Sequence, residues 1–327
     1  MGGDIHHAGP SMTTRRLIPL KGLFPAPSVP FAANSKILWP EFARHIQSMG
    51  AVRGVGGVAV NGHQGEMLSL TPQERLKVIS AAREHMPAHK WVISGLAASS
   101  IAESVQQLRQ IKAAGANAAL VMPPFDYMPR RILARSWHGP YAYFAELADK
   151  VDLPLLIFQY PHASGLWYDT ETMLRLAEID QVIGTKHAIR HLELYAEQWE
   201  ALRGKIAVLA ARDAPGLLSK MMLGADGVCI GISNIATSHW AKFTTLCLAH
   251  RFNEAREIFV THLMPLISHV WSERVPRRIS YSASTKEALV QLGVFSSSHV
   301  RSPEVNVSPA DIETIRAGLI KAGLLKP

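Results

Sequence analysis

The chain has 327 residues, 48% of them hydrophobic, enough to bury one large core and compatible with either a single barrel or two domains. Its 34 Lys and Arg against 26 Asp and Glu leave a net charge of +8, yet the basic residues are scattered. The densest cluster is Arg274, Arg277 and Arg278, with no interleaved aromatics, which favours a cationic surface over a nucleic-acid groove.

Two distant cysteines, Cys229 and Cys247, argue against a disulfide framework or a thiolate metal site and fit a reducing cytoplasm. No apolar run reaches the roughly 18 residues of a membrane span. Residues 1–11, with Gly2-Gly3 and His6-His7, read as a leader or appended tail, expected to be disordered to residue 16, with Met12 as an alternative start. Arg15-Arg16 is no export signal, because Pro19, Lys21, Pro25 and Pro27 interrupt any apolar segment after it.

From residue 17 onward a unit recurs: a short apolar run, a Gly, Pro or polar break, then an amphipathic helical window. The runs are 17–24, 54–60, 91–94, 118–122, 155–158, 182–186, 206–210 and 227–230. Thr71-Pro72-Gln73-Glu74 opens the window 71–85 with a cap, a first-turn proline and a capping-box acid; in 100–114, Ile101, Val105, Leu108 and Ile111 share a face. Gly50, Gly115 and Gly224 stand where C-cap glycines are expected.

Eight strand-helix units within residues 17–250 predict a (β/α)8 barrel of the TIM type. An open doubly wound sheet is the competitor, but no GxGxxG or GxxxxGK[ST] supports its nucleotide-binding form. Residues 251–327 then read as a C-terminal helical extension packed on the barrel, with helices over 253–271, 284–292 and 308–322 and a polar loop over 295–307. Helices added after a complete barrel are expected on its side or at subunit contacts, away from the chemistry.

Three segments at strand ends carry a resemblance. Asn61-Gly62-His63-Gln64-Gly65-Glu66 follows the second run, Phe158-Gln159-Tyr160-Pro161 ends the fifth and Ile183-Gly184-Thr185-Lys186 ends the sixth; Leu223-Gly224-Ala225-Asp226-Gly227-Val228 is a weaker fourth. Together they resemble the dihydrodipicolinate synthase and N-acetylneuraminate lyase family of Schiff-base-forming barrels, over nearly the whole chain. The resemblance implies that Lys186 is the nucleophile: a neutral amine adds to a ketone, water leaves, and the protonated imine holds as an enamine the electrons of a neighbouring bond that breaks. Desolvation is the usual physical route to a neutral lysine. If Lys186 faces inward, strand parity puts Gly184 and Val182 inward too.

The departures from the family pattern concern the other half of the site. The family's proton-relaying tyrosine is replaced by Phe158, which has no hydroxyl; Tyr160, two residues on and on the same face, either brings a phenol to the mouth or packs at the rim. The paired threonines that hold a keto acid's carboxylate become His63 and Gln64, flanked by the backbone donors of Gly62 and Gly65. His63 is also a candidate acid or base. Ile230, at the end of the eighth run, is expected to contact substrate. The arginine that meets a dicarboxylate in the synthases falls at Ala163, and Asp126, beside Tyr127, stands where a tyrosine reaches a neighbouring subunit. These losses argue against lysine biosynthesis and for a less acidic or bulkier carbonyl substrate.

Other residues read less sharply. His187 and His191, four apart, lack a third metal ligand; Asp213 is placed either at the mouth or as a helix cap; Glu66 is expected to order its own loop; Trp137, Trp167 and Tyr168 are rim or packing residues. The leading expectation is a cytoplasmic lyase, an aldolase or dehydratase without cofactor or metal, a homodimer or homotetramer as the resemblance implies. The alternative is a barrel that binds a small acid or sugar acid without turnover.

Overall fold

The computed structural model describes residues 20–124, 128–271 and 280–327. The expected tail, Asp126 with Tyr127, and the cluster Arg274, Arg277 and Arg278 lie outside the described residues. Eight strands alternate with eight helices: β1 (Gly22–Pro25), α1 (Trp39–Ala51), β2 (Gly57–Val60), α2 (Pro72–His85), β3 (Trp91–Leu96), α3 (Ile101–Ala113), β4 (Ala118–Val121), α4 (His138–Lys150), β5 (Leu155–Gln159), α5 (Thr170–Ala177), β6 (Val182–His187), α6 (Leu192–Leu202), β7 (Ala207–Ala210), α7 (Gly216–Leu223), β8 (Gly227–Ile230) and α8 (Thr237–Leu248). All the strand pairs are parallel, in the order β1-β8-β7-β6-β5-β4-β3-β2. The ring closes where Leu23 N–H donates to Gly54 O (2.9 Å) and Gly56 N–H to Leu23 O (2.8 Å). This is the (β/α)8 barrel expected from the alternating runs.

Alternation along each strand divides the core in two. Phe24, Ala59, Ile93, Leu120, Leu156, Phe158, Leu209 and Cys229 fill the barrel interior. Val58, Val92, Val121, Ile157, Val208 and Val228 face the surrounding helices. Both faces are buried, which is why the strands read as continuous apolar runs. The parity expected for β6 holds only near its end. Its pairing with β5 slips between Leu155 and Leu156, so that Leu155 pairs with Val182 and Leu156 with Gly184. Val182 therefore packs with the outer core and Ile183 with the interior, while Gly184 lies against Leu20 and Ala207 inside.

The helix ends follow local chemistry. Thr71 and Glu74 form the expected capping box on α2, and Gly115 and Gly224 take the positive φ values of 98° and 137°. Gly50 does not end its helix: it lies within α1, where a Cβ would come 2.7 Å from Pro87 Cδ, so close packing explains this glycine. After α8, the expected helix 253–271 is interrupted. It runs as α9 (Phe252–Ile258), a wider π turn (Phe259–Leu263) and α10 (Met264–His269). Pro265 has no N–H to offer the carbonyl one turn back, which loosens the ladder there. α11 (Tyr281–Gln291) starts earlier than expected because Ser280 caps it, and α12 (Pro309–Lys321) carries a Ser308–Asp311 capping box.

The chain between α11 and α12 is fastened to the barrel by Arg301. Its guanidinium donates twice to the Glu74 carboxylate, both at 2.7 Å, and also to the carbonyls of Ser35 (2.7 Å) and Ser69 (2.8 Å). Bidentate pairing of this kind holds the Glu74 carboxyl down at about 2 from an ordinary 4.5. A depressed carboxyl stabilises the fold fully above its unfolded pKa, and the contribution is lost as pH falls toward the folded one. The urea midpoint of Arg301→Gln should therefore trail the wild type by a gap that narrows between about pH 6 and pH 2.5. A gap of constant size would mean that the carbonyl contacts alone matter.

Candidate active site

Lys186 is the penultimate residue of β6, opposite Phe158 on β5 and Leu209 on β7. Its side chain enters a cavity of about 440 Å³ at the C-terminal mouth of the barrel. There Nζ stands 4.4 Å from the centroid of the Phe158 ring, a cation–π distance. Phe158 is itself buried in the barrel interior, so the amine rests on an apolar floor.

Three aromatic rings meet beside that amine. The Phe158 and Tyr160 ring centroids are 4.6 Å apart, and His63 lies 5.6 Å from the first and 5.7 Å from the second. Tyr160 OH and His63 Nε2 share a hydrogen bond of 3.1 Å, so the phenol has a partner able to take or return a proton. Both residues line the cavity.

His63 is presented by the turn after β2. Asn61 begins it in the left-handed region (φ 51°), a conformation that asparagine tolerates, and donates to Ser94 Oγ and Arg75 O, each at 3.1 Å. Gly95 must be a glycine here, since a Cβ would come within 1.9 Å of Asn61 O. Gln64 also lines the cavity, with Nε2 donating to Ser28 Oγ (2.9 Å) and Oε1 beside Gly231. The residue is thus braced from within the protein. Glu66 does not order its own loop as expected: it forms a fully buried ion pair with Lys286 of α11, tying the turn to the C-terminal segment.

On the other flank of Lys186, Asp213 follows β7 and lines the same cavity. It caps no helix. Its Oδ1 accepts from Ile232 N–H (2.7 Å), in the turn after β8. Burial pushes its carboxyl up to about 6 from 3.8, against the opposing effects of that backbone bond, of the Lys186 charge and of further backbone bonds from Gly231 and Asp213 itself.

Of the residues expected at the site, Lys186, Tyr160, His63, Gln64 and Phe158 share the cavity, while Gly62, Gly65 and Ile230 do not line it. Ile230 is a correction: strand alternation turns Cys229 inward and Ile230 outward into the helix-facing core, and it is Gly231 that borders the cavity. His187 and His191 do not pair. His187 points outward and is buried, with Nε2 2.7 Å from Gln198 Oε1 and its pKa lowered by burial to about 3, while His191 is exposed. Among the described residues no group of three or more His, Cys, Asp or Glu is placed to hold a metal ion. Tyr168 is buried core, Trp167 packs on His162, and Trp137 stacks on His138, so none of the three lines the mouth.

The C-terminal segment was expected to lie apart from the chemistry, and this too is corrected. Trp271 and Tyr281, stacked with centroids 4.5 Å apart, form a wall of the cavity together with Ser280, Ser282 and Glu304. The Glu304 carboxyl accepts from the Ser280 hydroxyl, and burial together with Glu66 pushes its pKa upward. Arg190 and Arg212 complete the rim. The two arginines stand a few residues beyond the strand ends of β6 and β7, a position that could have marked them; nothing local in sequence marks Trp271, Tyr281 or Glu304.

Residues 19–322 match the model of the dihydrodipicolinate synthetase family. The 4-hydroxy-tetrahydrodipicolinate synthase of Bartonella henselae is 30% identical over 309 residues, covering 94% of this chain and 99% of the relative. Among solved structures, the dihydrodipicolinate synthase of Aquifex aeolicus superposes with a TM-score of 0.81 at 26% identity, covering 94% of this chain and all of that one. A monomeric dihydrodipicolinate synthase variant reaches a TM-score of 0.83 at 23% identity over 94% of this chain and 99% of its own, a likeness of fold. No helix among the described residues is long and apolar enough to cross a membrane.

Proposed function

The chain belongs to the dihydrodipicolinate synthetase family of aldolase-type lyases, and we propose that it acts on a 2-keto acid or related carbonyl compound through an imine on Lys186. The observation that carries this reading is the Lys186 amine in the mouth cavity, resting on an aromatic face. The amine adds to the carbonyl, water leaves, and the positively charged imine draws electrons from a neighbouring carbon–carbon or carbon–hydrogen bond. An aromatic face about 4.4 Å away suits a permanent positive charge on that nitrogen, which gives Phe158 a role that needs no hydroxyl. Tyr160, bonded to His63, supplies the phenol that Phe158 lacks.

The substrate differs from that of a dihydrodipicolinate synthase. His63 and Gln64 replace the carboxylate-holding threonines of the resemblance, Ala163 replaces its arginine, and Gln64 is braced by Ser28. The stacked pair Trp271 and Tyr281 offers a flat apolar wall instead, suited to a bulkier, less acidic carbonyl compound. The same reading makes the enzyme a cytoplasmic homodimer or homotetramer. A second reading, a barrel that binds a small acid without turnover, is favoured by one observation, the missing hydroxyl at Phe158.

Borohydride added with pyruvate, 2-ketobutyrate and bulkier arylated keto acids should leave a reduced adduct whose mass maps to Lys186. Absence of an adduct across such a panel, alongside ligand-induced thermal stabilisation, would establish the binding reading instead.

A further inference from the structure

The strands beside β6 bring a different proton-bearing group to each side of Lys186. Tyr160 follows β5 and is bonded to His63; Asp213 follows β7 and faces the same cavity. We propose that Asp213 is a catalytic acid–base residue of this enzyme, carrying the proton that turns the hydroxyl of the Lys186 adduct into departing water. The inference rests on the imine reading above.

The placement is specific. Lys186 pairs with Leu209, and Ala211 N–H donates to His187 O (3.1 Å), so β7 runs beside β6 to its end before turning to Asp213. The carboxyl accepts from Ile232 N–H at Oδ1 and also from the backbone N–H groups of Gly231 and of Asp213 itself, which hold it in place at the cavity wall. Lys220 secures the two strand ends from outside the barrel, its buried Nζ donating to the carbonyls of His187 (2.9 Å) and Ala211 (3.2 Å). The carboxyl is therefore held beside the end of β6 that carries Lys186.

The step balances as follows. Addition of the amine to the carbonyl gives a carbinolamine, an N–C–OH centre. Its C–O bond breaks as the nitrogen lone pair forms C=N, and the leaving oxygen takes the proton of the Asp213 carboxyl. The products are the protonated imine, water and the Asp213 carboxylate. On release of product the sequence reverses: water adds to the imine carbon, its proton returns to Asp213, and the carboxyl is restored. Because burial holds this carboxyl near 6, it carries a proton in a useful fraction of molecules close to neutrality, which an ordinary aspartate does not. The other titratable and charged groups around it are Lys186 from β6, Cys229 from β8, Arg190 and Arg212 on the rim, His63 with Tyr160 opposite, and Glu304 from the C-terminal segment.

The test is the rate of imine formation, followed by mixing enzyme with pyruvate, quenching aliquots with borohydride and measuring the Lys186 adduct by mass. Asp213→Asn keeps an oxygen for Ile232 N–H but has no proton to give. It should slow adduct formation about 10²-fold or more, reach the same end point, and lose the dependence on a group near pH 6. Asp213→Glu should recover part of the rate. An Asn variant that forms adduct at the wild-type rate would overturn the inference while leaving the imine reading intact; no adduct in the wild type would remove both. Should the Asn variant not fold, the wild-type rate still decides. Because the amine must also be neutral, that rate should climb with pH only up to about 6 and stop climbing above it, in the wild type and in His63→Gln alike, and a rate that keeps climbing straight through about pH 6 would count against Asp213.

Discussion

Lys186→Ala should lower turnover by about 10⁵-fold, the scale on which deletion of a covalent nucleophile acts, and abolish the borohydride adduct. Among the described residues that line the cavity, Lys186 carries the only primary amine. The other buried lysine nearby, Lys220, cannot replace it. Its Nζ lies on the outer side of the strands, bound to two carbonyls and over the Tyr195 ring at 4.7 Å. The fold should tolerate the change, because Lys186 is only half-buried and the described contacts of its side chain include no hydrogen bond. Thermal unfolding within a few degrees of the wild type, with turnover gone, is the expected pair of results. An adduct that persists on a different lysine would show that the nucleophile has been misassigned. Equal thermal stabilisation of both proteins by a keto acid, without product from either, would favour binding without chemistry.

The barrel was legible because parallel strands buried on both faces leave short apolar runs that alternate with amphipathic helices. Lys186 was singled out by the resemblance, since a lysine at the end of such a run is by itself more often a solvated loop residue. What escaped depended on contacts distant in sequence. The irregular pairing of β5 and β6 moved Val182 outward, and no residue type announces such a slip. Ile230 and Gly231 are neighbours in sequence, yet strand alternation sends one into the outer core and the other to the cavity. Trp271, Tyr281 and Glu304 reach the site only because α10, α11 and the chain after them fold back over the barrel. Asp213 was noticed for its position after a strand, but whether it capped a helix or faced the mouth was decided by the turn after β8, through Ile232.

The same fold-back rests on Glu66 and Lys286, and removing one of them should cost more stability than any other single change considered. Both side chains are 0% exposed. Lys286 Nζ also donates to His299 O (3.1 Å) and lies 4.0 Å over the Phe31 ring, while Glu66 accepts from Arg301 N–H (3.3 Å). Lys286→Met leaves a carboxylate buried opposite a thioether, and should cost about 3–5 kcal/mol, read as a lower urea midpoint at unchanged slope. The double variant Lys286→Met with Glu66→Leu removes both charges, and should recover most of that loss. If it is as unstable as the single variant, shape and not charge is what the pair contributes. The pair also joins the turn carrying His63 and Gln64 to α11, whose first residue, Tyr281, is part of the cavity wall. Even where the double variant restores the urea midpoint, its KM should rise, because two apolar side chains can fill the space without fixing the angle between turn and helix. The ion pair adds little net stability, since desolvation offsets its attraction, but its directionality sets the two walls of one site in register.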